Sequence, residues 1–94
     1  MKVKNFLTKD TWTKHVFARK KDAMPCLPLD PDARKWCLAG AIIRAYQSDP
    51  KKLNVAMCRV LGWMGPKWHC LSHWNDEPDR TWKDVKALLN KLDL

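Results

Sequence analysis

The spacing of apolar residues predicts three helices after residue 30. The first spans about residues 30–47 and starts on an Asp-Pro pair, an N-cap followed by a proline that the first helical turn accepts. The second spans about residues 49–65, starts on another Asp-Pro pair and ends in glycine and proline. The third starts at Thr81, three residues before Asp84, in the pattern of a capping box. Each helix has apolar residues three and four positions apart, which predicts one buried face per helix.

The pattern in residues 8–28 is less uniform. Its apolar positions fit either a short helix or an alternating strand over residues 8–20, and the β-branched and aromatic residues there favour the strand, with residues 24–28 as a hairpin partner. The predicted fold class is a mainly α single domain. It has a helical core of three packed helices over residues 30–94 and an irregular or short β-hairpin N-terminal arm over residues 1–28. A small α+β domain is the alternative.

Small residues form a patch within the first predicted helix. Gly40 in mid-helix costs about 1 kcal/mol relative to alanine, so it predicts the close approach of a ring or of another backbone segment. We expect Trp74 to lie on the patch of Cys37 and Gly40, and Asn75 to stabilise the turn before the last helix. The residues assigned to this structural motif are Trp36, Cys37, Gly40, Trp74, Asn75, Asp76, Thr81 and Asp84.

Positive charge is concentrated near the N-terminus. The chain has 18 Lys and Arg against 10 Asp and Glu, and residues 1–21 hold seven of the basic residues against Asp10 alone. Such a pole favours polyanionic partners such as nucleic acid, a nucleoprotein or an acidic protein surface, although net charge also serves solubility. Basic and aromatic side chains are interleaved here, which suits phosphate contacts combined with base stacking. The predicted binding residues are Trp12, Lys14, His15, Arg19, Lys20 and Lys21.

The stretch HCLSHWND, residues 69–76, concentrates side chains that can bind metal. Cys70 and His73 have ligand-like spacing and His69 is adjacent, which makes a zinc site an alternative. No second paired motif in the sequence completes a tetrahedral site, so neither a metal nor any other cofactor is predicted.

Cys37 is the candidate nucleophile of the sequence. Together with His73 and either Asn75 or Asp76, it supplies the residue types of a cysteine-dependent enzyme. Its predicted position inside a helix takes it away from the helix N-terminus, where the dipole lowers a thiol pKa. We therefore predict no catalytic residues, and the cysteine-dependent enzyme is kept as the alternative.

Four stretches of the chain resemble an uncharacterised family of small bacterial and phage proteins. They are W-T-K-H-V-F-A-R at 12–19, D-P-D-A-R-K-W-C-L-A-G-A-I at 30–42, W-N-D at 74–76 and R-T-W-K-D-V-K-A-L-L at 80–89. The family pattern they resemble is W-x-x-G-x-x-A-R, A-x-x-W-C-x-x-G-A, W-N-D and T-x-x-D-V, with His15 standing here in place of the family's usual glycine. The resemblance implies a shared fold and a phage or bacterial setting, but no catalytic residues.

These observations together predict a small, basic, non-enzymatic binding protein. Its expected partner is a host protein, a nucleoprotein complex or nucleic acid. The family's phage association, with the size and charge, makes a counter-defence inhibitor of the anti-CRISPR type a concrete form of this expectation. No signal peptide or membrane-spanning run is visible, which predicts a cytoplasmic protein without a membrane partner. A helical domain that binds a small ligand above Gly40 is a further alternative, and the sequence does not determine the oligomeric state.

Overall fold

The described part of the chain forms a small α+β fold of four α-helices and one three-stranded antiparallel sheet. The computed structural model describes residues 1–67 and 70–94. The elements in chain order are a 3₁₀ turn (Val3–Asn5), β1 (Ala18–Lys20), β2 (Pro25–Cys26), β3 (Ala33–Trp36), α1 (Leu38–Tyr46), α2 (Pro50–Met64), α3 (Leu71–Asn75) and α4 (Trp82–Leu92). With 47% helix and 11% strand, the mainly α prediction is too narrow, and its α+β alternative describes the fold.

The N-terminal segment contains the short hairpin that the sequence left open against a helix. β1 lies in the middle of the sheet, in the order β2-β1-β3, and pairs antiparallel with both neighbours. Its buried residue, Ala18, lies opposite Cys26 on one side and Trp36 on the other. The sheet therefore joins the N-terminal segment to the residues that lead directly into α1.

The prediction of a helix from residue 30 is wrong at its start, because strand β3 occupies those positions. The register of β1 against β3 shifts by one residue, which identifies a β-bulge. The bulged residue is Arg34, since Lys35 and Ala33 pair with consecutive residues of β1. Ala33 and Trp36 consequently share one face and are both buried. A bulged strand thus reproduces the three-residue spacing that otherwise indicates a helix.

Helices α2 and α4 lie where their sequence patterns predict them. Asp49 caps α2 by accepting a hydrogen bond from the Lys52 backbone N–H at 3.1 Å. At the start of α4, the Asp84 carboxylate accepts from the Thr81 backbone N–H at 3.0 Å and from its hydroxyl at 3.2 Å. The backbone bond is the main reason that the pKa of Asp84 is lowered. The short helix α3 lies in a region that the sequence predicts to be irregular, and none of the described helices is long and apolar enough to cross a bilayer.

The first seven residues pack on the helices. Val3 and Leu7 are buried and belong to the same apolar cluster as the buried residues of α1 and α4. The Lys4 backbone N–H donates to the carbonyl oxygen of Leu94 at 3.1 Å, and Leu94 is itself buried. The lysines of this N-terminal turn are therefore anchored at defined positions beside α4.

Candidate functional site

Asn75 of α3 joins three segments that are far apart in the sequence. Its side-chain oxygen accepts from the Trp12 indole N–H at 2.7 Å and from the Leu38 backbone N–H at 3.0 Å. Its amide nitrogen donates to the Thr13 carbonyl oxygen at 3.1 Å and to the Asp76 carboxylate at 3.0 Å. The side chain is 0% exposed, and these contacts use both of its donors and both acceptor lone pairs. Asn75 is thus committed to holding the N-terminal segment, the start of α1 and α3 together.

Asp76 extends this junction to an unusual backbone position. Its carboxylate accepts from the His15 backbone N–H at 2.8 Å, and His15 has a φ of 75°. Left-handed backbone is unfavourable for residues with a side chain and favours glycine. A glycine at this position would adopt the conformation without that penalty. The His15 side chain is exposed.

The Phe17 backbone crosses directly over the start of α1. Its carbonyl oxygen accepts from the Cys37 backbone N–H at 3.1 Å. A Cβ atom placed on Gly40 would overlap the same oxygen and would lie 3.0 Å from the Phe17 carbonyl carbon. The close approach predicted at Gly40 is therefore present, but its partner is the Phe17 backbone where Trp74 was expected. The space that the small-ligand alternative needed above Gly40 is filled by protein.

Cys37 is the N-cap of α1, which corrects its predicted place inside a helix. Its sulfur accepts from the Gly40 backbone N–H at 3.3 Å, and the residue is buried. Burial raises the pKa of the thiol, and this outweighs the hydrogen bonds from the helix N-terminus that favour the thiolate. The cavity beside it is about 100 Å³ and is lined by His15, Val16, Phe17, Cys37, Ser72 and Asp76. Ligand pockets are roughly 300–1,000 Å³, so the cavity is too small for an ordinary substrate.

Two of the four residues of the cysteine-dependent alternative are engaged in structural hydrogen bonds. His73 is exposed on α3 and is not among the described residues that line the cavity beside Cys37. Asn75 is saturated with structural hydrogen bonds, and Asp76 holds the backbone of His15. Asp76 is the member of the predicted set that lines the cavity beside the thiol, and burial raises the pKa of that thiol.

Thiol labelling measures this directly. We expect iodoacetamide at neutral pH to alkylate the exposed Cys58 and Cys70 at least about tenfold faster than Cys37 in the folded protein. Mass spectrometry of peptides after timed quenching gives the three rates in one sample, with the urea-unfolded chain as the reference. Labelling of Cys37 as fast as that of Cys58 would reinstate the enzyme alternative.

The zinc alternative finds no ligand set among the described residues. Cys70 accepts a hydrogen bond from the His73 backbone N–H at 3.4 Å as the N-cap of α3. Among the described residues, no three His, Cys, Asp or Glu side chains lie close enough together to hold one metal ion. His69, the third member of the predicted cluster, lies outside the described residues.

Trp74 anchors the turn after α3 through Arg80. The Arg80 guanidinium stacks over the Trp74 ring at 3.9 Å, and its Nε donates to the Trp74 carbonyl oxygen at 2.9 Å. Trp74 also forms an edge-to-face pair with Trp63 of α2, with 6.3 Å between ring centroids. The cation–π contact and the aromatic pair together hold α3 against α2 and the start of α4.

Trp36 has a comparable structural environment in β3. Its indole N–H donates to the Pro28 carbonyl oxygen at 3.1 Å, and Phe6 meets its ring edge to face at 5.2 Å. The Arg44 guanidinium lies 5.6 Å from the ring and donates to the same Pro28 oxygen at 3.1 Å. Trp36 thereby links the N-terminal turn, the loop before β3 and α1.

The side chains of three predicted binding residues make internal contacts. Trp12 donates to Asn75 as described above. Lys14 donates to the Glu77 carbonyl oxygen at 2.8 Å and lies 5.5 Å from the Trp12 ring. Arg19 donates to the Thr13 hydroxyl at 2.9 Å, the Ala23 carbonyl at 3.0 Å and the Lys14 carbonyl at 3.3 Å. These bonds use three of the five N–H donors of the Arg19 guanidinium to hold its own loop.

Lys20 and Lys21 occupy a surface of mixed charge. They line a groove of about 570 Å³ near the hairpin turn together with Asp22, Asp32 and Arg34. Two carboxylates among three cations weaken its attraction for a polyanion. The hairpin therefore offers less positive potential than the order of residues along the chain indicates.

Positive charge is concentrated on two grooves whose linings both include residues of the N-terminal turn. One groove, about 500 Å³, runs between the turn and α4, and the other, about 620 Å³, runs between the turn and α2; Asn5 lines both. The exposed charged side chains that line them define the N-terminal basic face: Lys2, Lys4, Lys9, Lys51, Lys52, Arg59 and Lys86, with Asp93 as the acidic member.

Asp93 forms ion pairs with two lysines of this face. Lys2 reaches its carboxylate at 2.6 Å and Lys4 at 2.5 Å. Hydrogen bonds from these two lysines lower the pKa of Asp93 to about 2. Since both lysines are exposed, the pairs are screened by solvent and the surrounding field stays positive.

None of these seven basic residues was among the predicted binding residues. Lys2, Lys4 and Lys9 belong to the N-terminal positive pole, and the sequence contains a signal for the others. Residues 50–64 hold Lys51, Lys52 and Arg59 without any acidic residue. Val55 lies three residues after Lys52 and four before Arg59, on the same face of α2, and its side chain is exposed. Lys86 is joined to this surface only by the packing of α4 beside the N-terminal turn.

Comparison with known proteins places the chain in one described group. The model of a "Family of unknown function (DUF6197)" matches residues 2–92, nearly the whole chain. No curated protein and no solved structure matches the chain. The match agrees with the resemblance to an uncharacterised family, and it assigns no activity.

Proposed function

The chain belongs to DUF6197, a family of unknown function, and we propose that it is a non-enzymatic protein that binds nucleic acid through the N-terminal basic face. The observation that carries the proposal is the distribution of charge over the folded surface. Seven basic side chains and one acidic side chain line the two grooves. That accounts for six of the chain's net eight positive charges, and the other residues, 11 basic and nine acidic, contribute only two.

The shape and lining of the face favour nucleic acid as the polyanion. The linings of the two grooves, of about 500 and 620 Å³, share Asn5, which suits a strand long enough to contact both. Both grooves also contain an aromatic side chain, Trp82 in one and Tyr46 in the other. Lysine and arginine beside aromatic rings are the combination that binds phosphates and bases together.

A non-enzymatic role fits the remaining geometry. The candidate nucleophile is buried with a raised thiol pKa, and the polar residues near it serve as structural hydrogen-bond partners. A nucleoprotein would present the same phosphates, so it is one outcome of the test given next. The counter-defence role stays a prediction from size, charge and family resemblance.

Charge reversal on the face tests the proposal. We expect Lys9→Glu with Lys86→Glu to weaken binding of a fluorescent oligonucleotide by at least about tenfold at 50 mM salt, because two phosphate contacts become repulsions. The slope of log K against log salt is negative, and its magnitude should decrease by about 1.4–1.8 for two lost contacts. Fluorescence anisotropy at four salt concentrations gives both quantities.

The hairpin supplies a matched control. Lys20→Glu with Lys21→Glu makes the same change in net charge at the groove of mixed charge, and it is expected to lower affinity less than threefold. Loss of binding in this variant alone would assign the binding to the hairpin. Absence of salt-dependent binding by the wild-type chain to any oligonucleotide would overturn the function. If the chain instead captures a protein from bacterial lysate, and the capture persists after nuclease treatment, the partner is a protein.

A further inference from the structure

The groove between the N-terminal turn and α4 combines one aromatic wall with several cations. Trp82 forms the wall, and Lys4, Lys9 and Lys86 surround it. Among the described residues that line this groove there is no acidic side chain. The side chains of Thr8 and Asn90 also line it, and they can donate to and accept from the edges of a base.

A second tryptophan supports the ring of Trp82. Its ring packs against Trp12 with 6.3 Å between centroids and 48° between planes. Trp12 is itself held by the 2.7 Å hydrogen bond from its indole N–H to the buried Asn75. Trp82 is only half-buried and belongs to the groove lining. An aromatic surface whose support is anchored in the core loses little freedom when a ligand stacks on it.

We propose that this groove binds single-stranded nucleic acid, with a base stacked on Trp82 and the flanking phosphates on Lys9 and Lys86. In a duplex the bases stack on each other, so a surface indole reaches the face of a base only when that base is unpaired. The lysines attract single strands and duplexes alike, and the selectivity comes from Trp82. This inference rests on the proposed function, and it adds the class of nucleic acid and the residue that selects it.

Matched oligonucleotides test the selectivity. A 15-nucleotide single strand and its duplex, both labelled, are titrated with the whole chain by fluorescence anisotropy at 100 mM salt. The wild-type protein is expected to bind the single strand at least about tenfold more tightly. Trp82→Leu keeps an apolar side chain against Trp12 but removes the aromatic surface, and it should weaken single-strand binding by about 5- to 150-fold, the range for one lost base stack.

Two further variants separate stacking from folding. Trp82→Phe restores a ring and should recover most of the affinity. Trp63→Leu removes another partly exposed tryptophan, 43% exposed on α2, and should leave single-strand affinity within about twofold of wild type. In Trp82→Leu the salt slope should stay at the wild-type value, because its phosphate contacts remain.

Photocrosslinking of the wild-type chain gives a readout that needs no variant. A single strand containing 5-bromouracil should crosslink to the peptide that carries Trp82. Crosslinks confined to the Trp63 peptide would overturn the stacking assignment.

Different outcomes of these experiments would reject the single-strand site and the proposed nucleic-acid binding. Equal, salt-dependent binding of single strand and duplex that Trp82→Leu does not change would retain nucleic-acid binding and reject the single-strand site. No salt-dependent binding of either would reject both. If polyglutamate of equal charge displaces the single strand as well as unlabelled oligonucleotide does, the face is a site for acidic proteins, and both proposals are wrong.

Discussion

Asn75→Ala is expected to lower the free energy of unfolding by about 3–5 kcal/mol. The substitution removes the oxygen that accepts from the Trp12 indole and the Leu38 backbone N–H, and the donor to the Thr13 carbonyl. Each buried polar group left without a partner costs about 1–3 kcal/mol. Alanine cannot replace any of these bonds, and bulk water does not reach a side chain that is 0% exposed.

Urea unfolding followed by circular dichroism measures the effect, with Asn54→Ala as the control. Asn54 is an exposed asparagine of α2, where alanine has the higher helix propensity, so the control should be neutral or slightly stabilising. A loss below about 1 kcal/mol for Asn75→Ala would show that the junction contributes little to stability. In that case a functional role for the W-N-D stretch would have to be reconsidered.

Gly40→Ala and Gly62→Ala are expected to change stability in opposite directions. At Gly40 the added methyl group would overlap the Phe17 carbonyl oxygen, which is backbone and is bonded to the Cys37 N–H. Forcing these segments apart should destabilise the protein by about 2–4 kcal/mol, from overpacking combined with the loss of that hydrogen bond. At Gly62 no atom lies within 4 Å of the added methyl group, so the higher helix propensity of alanine should stabilise α2 by up to about 1 kcal/mol.

The pair of glycine variants is its own control, because the covalent change is identical. Thermal unfolding of both proteins under one set of conditions is sufficient. Gly40→Ala with wild-type stability would mean that the Phe17 segment can move away from α1 at little cost. The His15 backbone, which is bonded to Asp76 close by, would then no longer be tightly positioned.

Local signals in the sequence were sufficient for α2 and α4. Each has an N-cap acid or a capping box and an apolar face at helical spacing, and each of these features acts within a few residues. The start of α1 was not predictable in this way. The Asp-Pro pair at residues 30–31 is a valid helix start, and Ala33 and Trp36 have helical spacing. A strand forms here because β1 supplies a hydrogen-bonding partner, and the bulge at Arg34 turns Ala33 and Trp36 to the same buried face.

The predictions for Cys37 and Asn75 were wrong for the same reason, because their partners are distant in the sequence. Cys37 was placed inside a helix because β3 was not foreseen, and its N-cap position alone would have favoured a reactive thiol. Burial decides the opposite, and burial depends on the Phe17 segment and on α3, which are distant in the sequence. Asn75 was expected to stabilise a local turn, but its partners lie 37 to 63 residues away, apart from the neighbouring Asp76.

The sequence by itself determined the family, the two helices with complete local signals, the close approach at Gly40 and the excess of positive charge. Each of these follows from residue identity or from interactions within one or two helical turns. The tertiary structure alone decided where that charge acts. Folding places Lys51, Lys52, Arg59 and Lys86 beside the N-terminal lysines, and it commits Lys14 and Arg19 to internal hydrogen bonds. The electrostatic potential of a surface depends on distances through space, and only the packing of the chain sets those distances.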